Sequence, residues 1–169
     1  NYIDNCSLEW TNEHDATPDY NAGFGFSALF VTNNVFLCGD TADWFSYIVL
    51  KPYGTGHSIS GLDISGNTFR AVNGKIDRVE RVDTSFADID YSKLHDIQIA
   101  GNSFHNIKAH ITNPVIKNHR QNSLDSTWRV NFDGALPFKG HARAVTSVVV
   151  TGTLKNGPNV TRYTSPSVQ

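Results

Sequence analysis

Apolar residues along this chain alternate over short spans, and no stretch of a dozen residues keeps the i, i+3, i+4, i+7 spacing of an amphipathic helix. Phe45–Leu50 and Val145–Val150 read as strands. A longer pattern emerges when three segments are superimposed, Ala28–Leu37 (ALFVTNNVFL), Gly61–Arg70 (GLDISGNTFR) and Asp96–His105 (DIQIAGNSFH). With Asn34, Asn67 and Asn102 as common anchor, the residue three before is Val31, Ile64 or Ile99, and five before it Leu29, Leu62 or Ile97. Two after the anchor comes Phe36, Phe69 or Phe104, and eight before it Phe26, Ile59 or Leu94. A weaker copy opens the chain, with Ile3, Cys6 and Leu8 in corresponding slots. Taking Cys6 as its anchor, successive anchors lie 28, 33 and 35 residues apart.

The pair five and three before the anchor points two side chains the same way, as a strand requires. Asn tolerates the left-handed backbone, and two of the anchors follow Gly66 or Gly101, so the chain is expected to bend there. A strand, a bend, a second strand and a variable return make one rung of a solenoid. Stacked rungs would set the three Asn amides in a ladder with a step of about 4.8 Å, and the Phe rings likewise. These repeats exceed a minimal coil of about 20 to 25 residues, so each rung must carry an excursion, at Gly39–Gly54 and Val72–Tyr91. A β-sandwich with three matching strand-turn-strand units is the alternative.

Composition agrees with strands and turns. The acidic residues include only three Glu, and Gly, Asn, Thr and Ser are abundant. The 169 residues suffice for a core of ordinary size. A net charge of -2, with 14 Lys and Arg against 16 Asp and Glu and no run of like charge, gives no basis for nucleic acid as a partner. No stretch approaches the roughly 20 apolar residues of a membrane span, so no membrane insertion is expected. Two cysteines, Cys6 and Cys38, make no disulfide framework, and their rung offsets argue for free, buried thiols. With no Met and Asn1 already in a rung, the chain reads as part of something longer, or as one whose first edge another chain covers.

The Asn anchors and aligned Phe residues resemble the right-handed parallel β-helix of the pectate-lyase-like superfamily, in which Asn ladders at such a bend and stacked aromatics inside the coil are characteristic. That resemblance implies an all-β chain with helical coils over 1–113 and a C-terminal capping or oligomerisation segment over 114–169. Leu136–Leu154 (LPFKGHARAVTSVVVTGTL) also resembles the C-terminal part of spike proteins encoded beside phage-like particles, including gene transfer agents. This second resemblance implies a homo-oligomer, expected to be a trimer. It would sit outside the cell or on a particle surface, bind cell-surface polysaccharide and contact other particle proteins.

Candidate chemistry follows from the outward slots. Four before the anchor lie Phe30, Asp63 and Gln98, and six before it Ala28, Gly61 and Asp96. Asp63 and Asp96 would lie diagonally on neighbouring rungs with Cβ atoms about 7 to 8 Å apart, if the strand continues that far. Such a pair could serve as the acid and base of an inverting glycosidase, and a solvated surface pair is the plainer reading. Phe30, Asp63, Asp96 and Gln98 could instead bind sugars through ring stacking and hydrogen bonds. Trp44 and Tyr47, in an excursion that also holds Phe45 and Tyr53, could stack on a sugar ring, contact a neighbouring subunit or pack inward; packing is the plainest role.

The Asp-Asp, Gly-His-Gly and Arg-Ile-Lys elements of polygalacturonase-like enzymes and the Arg-rich signature of pectate lyases are missing. A polysaccharide lyase, hydrolase or epimerase is therefore the second reading, and a purely structural particle component the third. His95, His105 and His110 lack the spacing that enforces convergence on a metal. Calcium could be held by Asp83, Asp88 and Asp90, though without EF-hand spacing; otherwise no cofactor is expected. The sequons Asn5-Cys6-Ser7 and Asn159-Val160-Thr161 are discounted, the first because it falls in a rung expected to be buried.

Overall fold

The computed structural model describes residues 1–13, 23–123, 125–132, 134–152, 154–155 and 161–162. They fall into two compact units, Asn1–Val115 with Asp133–His141, and Ile116–Phe132 with Ala142–Gln169. The first contains ten strands: β1 (Tyr2–Asp4), β2 (Leu8–Thr11), β3 (Gly25–Thr32), β4 (Val35–Asp40), β5 (Ile48–Lys51), β6 (His57–Ser65), β7 (Thr68–Asn73), β8 (Glu80–Val82), β9 (Ile89–Ala100) and β10 (Ser103–His105). They build three sheets, β1-β4-β7-β10, β2-β5-β8 and β3-β6-β9, in which every neighbouring pair is parallel. Parallel neighbours need a long crossover, and here the chain makes it by visiting the other two sheets in constant order. No α-helix occurs among the described residues, and none of their helices is long and apolar enough to cross a membrane.

The anchors behave as a ladder. The Asn34 and Asn67 Nδ2 groups donate to Asn67 and Asn102 Oδ1 at 3.2 and 3.0 Å. The same two oxygens accept the backbone N–H groups of Asn34 and Asn67, both at 2.9 Å. Asn67 Nδ2 also donates to Val31 O at 2.7 Å, so a side chain 1% exposed has partners for both its polar atoms. Of the pairs expected to make the bend, the left-handed residue is the one before the anchor: Asn33, Gly66 and Gly101 have φ of 55°, 65° and 63°. The preceding residue makes the bend, and the anchor turns inward to satisfy the corner's backbone.

Other expectations are corrected. The anchor of the opening copy is Asn1, not Cys6, because Tyr2 and Ile3 pair with Val35 and Phe36, and Asn1 Nδ2 donates to Asn34 Oδ1 at 2.9 Å. Cys6 is exposed and only Cys38 is buried; both are free. Asn5 is exposed too, its Oδ1 accepting the Gly39 N–H at 2.6 Å, so the first sequon does not lie in a buried rung. The second falls largely outside the described residues. The two excursions contain β5 and β8, which with β2 make the third sheet; a strand was expected only in the first, because both break the anchor spacing. The strand expected over Phe45–Leu50 starts at Ile48, after a turn in which the Phe45 N–H bonds Ala42 O.

Inside, Phe36, Phe69 and Phe104 stack with centroids 4.9 and 5.9 Å apart, and His110 lies 4.9 Å from Phe104 at the end of the column. Phe26, Ile59 and Leu94 form a second column, Val31, Ile64 and Ile99 a third. In the β2-β5-β8 sheet the column Leu8, Ile48 ends on a carboxylate, Glu80, which is fully buried. Glu80 Oε1 accepts from the Arg78 guanidinium and from the Phe138 N–H at 3.0 Å. Arg78 also donates to Leu136 O at 2.9 Å and to Gly134 O. This clamp fixes a short 3-10 turn, Pro137–Lys139, whose Phe138 is 3% exposed. Within the predicted cap, then, residues 134–141 pack on the sheets.

The second unit, among its described residues, has one antiparallel pair, β11 (Leu154–Lys155) with β12 (Thr161–Arg162). No strand forms over Val145–Val150, and Val145, Val148 and Val149 are exposed. Strand-forming side chains give a ladder only when a neighbouring strand is present.

Two stability predictions follow from the ladder and the clamp. Asn67→Ala leaves buried donors and acceptors unmet and is expected to cost about 2–4 kcal/mol in urea unfolding, whereas Asn73→Ala, at an exposed amide, should stay within about 0.5 kcal/mol. Burial pushes the Glu80 carboxyl above its ordinary 4.5, against the opposing pull of Arg78 and the Phe138 N–H. A carboxyl raised in the folded chain binds its proton more tightly there, so its ionisation costs stability as pH rises from 4.5 through the raised value. Relative to Glu80→Gln, the parent chain should therefore gain stability on acidification through that window, measured as the difference in unfolding free energy. A pH-independent difference would contradict it.

Candidate functional site

The outer face of the β3-β6-β9 sheet carries most of the candidate residues. Its registers set side chains in rows across three strands: Ser27, Ser60 and His95; Phe30, Asp63 and Gln98; Thr32, Ser65 and Ala100. The middle row is flanked on both sides by residues that turn into the core, such as Leu62 and Ile64 beside Asp63, so simple alternation places Phe30, Asp63 and Gln98 outward. Phe30 is 70% exposed. Asp63 is half-buried, and its Oδ1 is enclosed with no hydrogen-bond donor among the described residues.

Alternation fails at one level. Phe26 and Leu29 both face the core although three positions apart, and the same holds for Ile59 with Leu62 and for Leu94 with Ile97. A period of two cannot do this without a defect. The defect is a left-handed residue in all three strands: Ala28, Gly61 and Asp96, with φ of 58°, 61° and 52°. At Asp96 it turns the carboxylate onto the preceding side chain, His95 Nδ1 to Asp96 Oδ2 being 2.8 Å.

The expected sites are thus distributed as follows. Phe30, Asp63 and Gln98 lie side by side as the spacing implied. Asp96 is two positions out of register with Asp63 on the neighbouring strand, but the regular pleat assumed for an acid/base separation is interrupted at Asp96 itself, which is engaged with His95. Trp44 is exposed on the 41–47 connection between β4 and β5, not on this sheet. Tyr47, for which sugar stacking was the alternative to inward packing, is fully buried between Phe36 and Phe69, where its hydroxyl donates to Arg70 O at 2.8 Å and burial pushes the phenol well above its usual range. It belongs to the core.

Asp83 and Asp88 lie between β8 and β9 and Asp90 lies in β9, and each is engaged by close neighbours in sequence. Asp83 accepts from Ser85 and pairs with Arg81 at 3.2 Å, and the Ser85 hydroxyl is the leading cause holding its carboxyl below the usual range. Asp90 likewise accepts from Ser92, and Asp88 from the Ile89 N–H. Among the described residues no three His, Cys, Asp or Glu side chains converge to hold a metal ion. Sequence reading missed Ser60 and His95, whose signal was a third outward row seven before the anchor.

Comparison with protein-family models, with curated proteins and with solved structures found no match.

Proposed function

We propose that the first unit is a right-handed parallel β-helix whose β3-β6-β9 face binds cell-surface polysaccharide, as part of a homo-oligomeric spike of the kind carried on phage-like particles. The observation that carries the reading is the row Phe30, Asp63, Gln98. An exposed ring stands beside a half-buried carboxylate and an exposed amide, the set that grips a sugar by stacking on its C–H face and bonding its hydroxyls. Right-handed winding follows from the strong preference of parallel crossovers. The exposed valines of Val145–Val150 support association with further copies, and several shallow sites on one particle gain avidity together.

Phe30→Ala and Asp63→Ala should each weaken binding to capsular or exopolysaccharides on a glycan array by roughly tenfold, the worth of one stacking or charged hydrogen-bond contact. Both side chains face outward, so thermal unfolding should change little. Unchanged binding in both variants would remove this face as the site, and a monomer by light scattering would remove the oligomeric spike.

A further inference from the structure

The row beside the proposed glycan site has its own chemistry. Ser60 and His95 are direct partners across β6 and β9, and each follows a residue buried in the core, Ile59 and Leu94. Both therefore stand on the outer face, one strand spacing of about 4.8 Å apart. Consecutive residues of a regular strand point to opposite faces, so a His-Asp neighbour pair should not meet. The left-handed turn at Asp96 removes that obstacle and seats its Oδ2 2.8 Å from His95 Nδ1. With Nδ1–H donated to the carboxylate, Nε2 is left as the basic nitrogen. Gly61 follows Ser60 and is exposed, so no side chain covers the approach from that residue.

We propose that Ser60, His95 and Asp96 are the nucleophile, base and positioning residue of an acyl-transfer site that removes O-acyl esters from polysaccharide. The triad stands on this geometry; the substrate class rests on the glycan-binding reading, whose Phe30–Asp63–Gln98 row begins three residues, about 10 Å, along the same strand. The Ser60–His95 hydrogen bond is not formed in this structure, and a rotamer change must close it as substrate arrives. Ser60 Oγ then attacks the ester carbonyl while its proton passes to His95 Nε2. The imidazolium returns that proton to the departing sugar oxygen, leaving acyl-Ser60 and a free hydroxyl. Water, deprotonated by His95, releases the acyl group as its carboxylic acid and restores the serine.

The test uses the whole chain with a fluorophosphonate probe, which phosphonylates an activated serine with loss of fluoride and needs no glycan. Intact mass and peptide mapping should place one adduct on Ser60, absent in Ser60→Ala and slowed at least 100-fold in His95→Gln. Asn tolerates the left-handed backbone, so Asp96→Asn should keep the fold, slow labelling at least tenfold and change the His95 ring 15N signals from those of the Nδ1–H tautomer. Acetate release from an O-acetylated polysaccharide forms the second arm. Labelling of Ser60 with acetate release supports the proposal in full. Labelling without release from acetylated polysaccharides that bind the chain overturns the ester assignment, and labelling without binding overturns the glycan reading. No adduct on Ser60, or labelling that Ser60→Ala leaves unchanged, overturns the triad.

Discussion

Stacking one circuit of the chain on the next leaves corner peptides buried between rungs, and the rest of the first unit depends on the amide ladder that satisfies them. Asn1, Asn34, Asn67 and Asn102 are joined through their side chains, two of them also receiving a backbone N–H from the rung before. An Asn carries both donor and acceptor on one short planar group, so a single residue per rung serves its own corner and the neighbouring one. That requirement holds the rungs in phase. With the corner fixed, Phe36 falls over Phe69 and Val31 beside Ile64, and a slip by one residue would turn those side chains outward.

The same phase-locking copies a defect from rung to rung. Ala28, Gly61 and Asp96 share one level and one left-handed conformation, although only Gly adopts it without strain. A shift of phase lets Phe26 and Leu29 both reach the core, and that burial offsets the local backbone cost. Its by-product is on the outside, where the flipped Asp96 meets His95 in a row that also carries Ser60. Packing inside the sheets thus decides which polar groups meet on their surface.

Ends are the weak points of stacked parallel strands, because an uncovered edge offers unpaired peptide groups. On β9, Ile99 O receives the Asn113 N–H at 2.9 Å. On β8 the buried Glu80, with Arg78 two residues before it, binds the backbone of the 134–138 segment and brings Phe138 over the core. A carboxylate in a core column is costly unless it is paired and bonded; here its partners are what hold the cover in place. β1, β2 and β3 are the opposite end strands of their sheets.

The anchor repeat was legible because a ladder needs the same residue type at the same place in every circuit, and the inward and outward rows around Asn67 followed from alternation alone. So did the alignment of Phe30, Asp63 and Gln98. The opening anchor was misplaced because the opening copy matches the repeat only weakly, and the third sheet was read only in part, as the strand over Phe45–Leu50, because connections of unequal length, 5–7 against 41–47, precede β2 and β5. Tyr47 shows the limit of composition: an aromatic in a loop suits a sugar as well as a core, and only its seat between Phe36 and Phe69 chooses. The meeting of His95 and Asp96 belongs wholly to the tertiary structure, since neighbours in sequence point apart in any regular strand and only a left-handed residue, imposed by stacking on Gly61, brings them to one face.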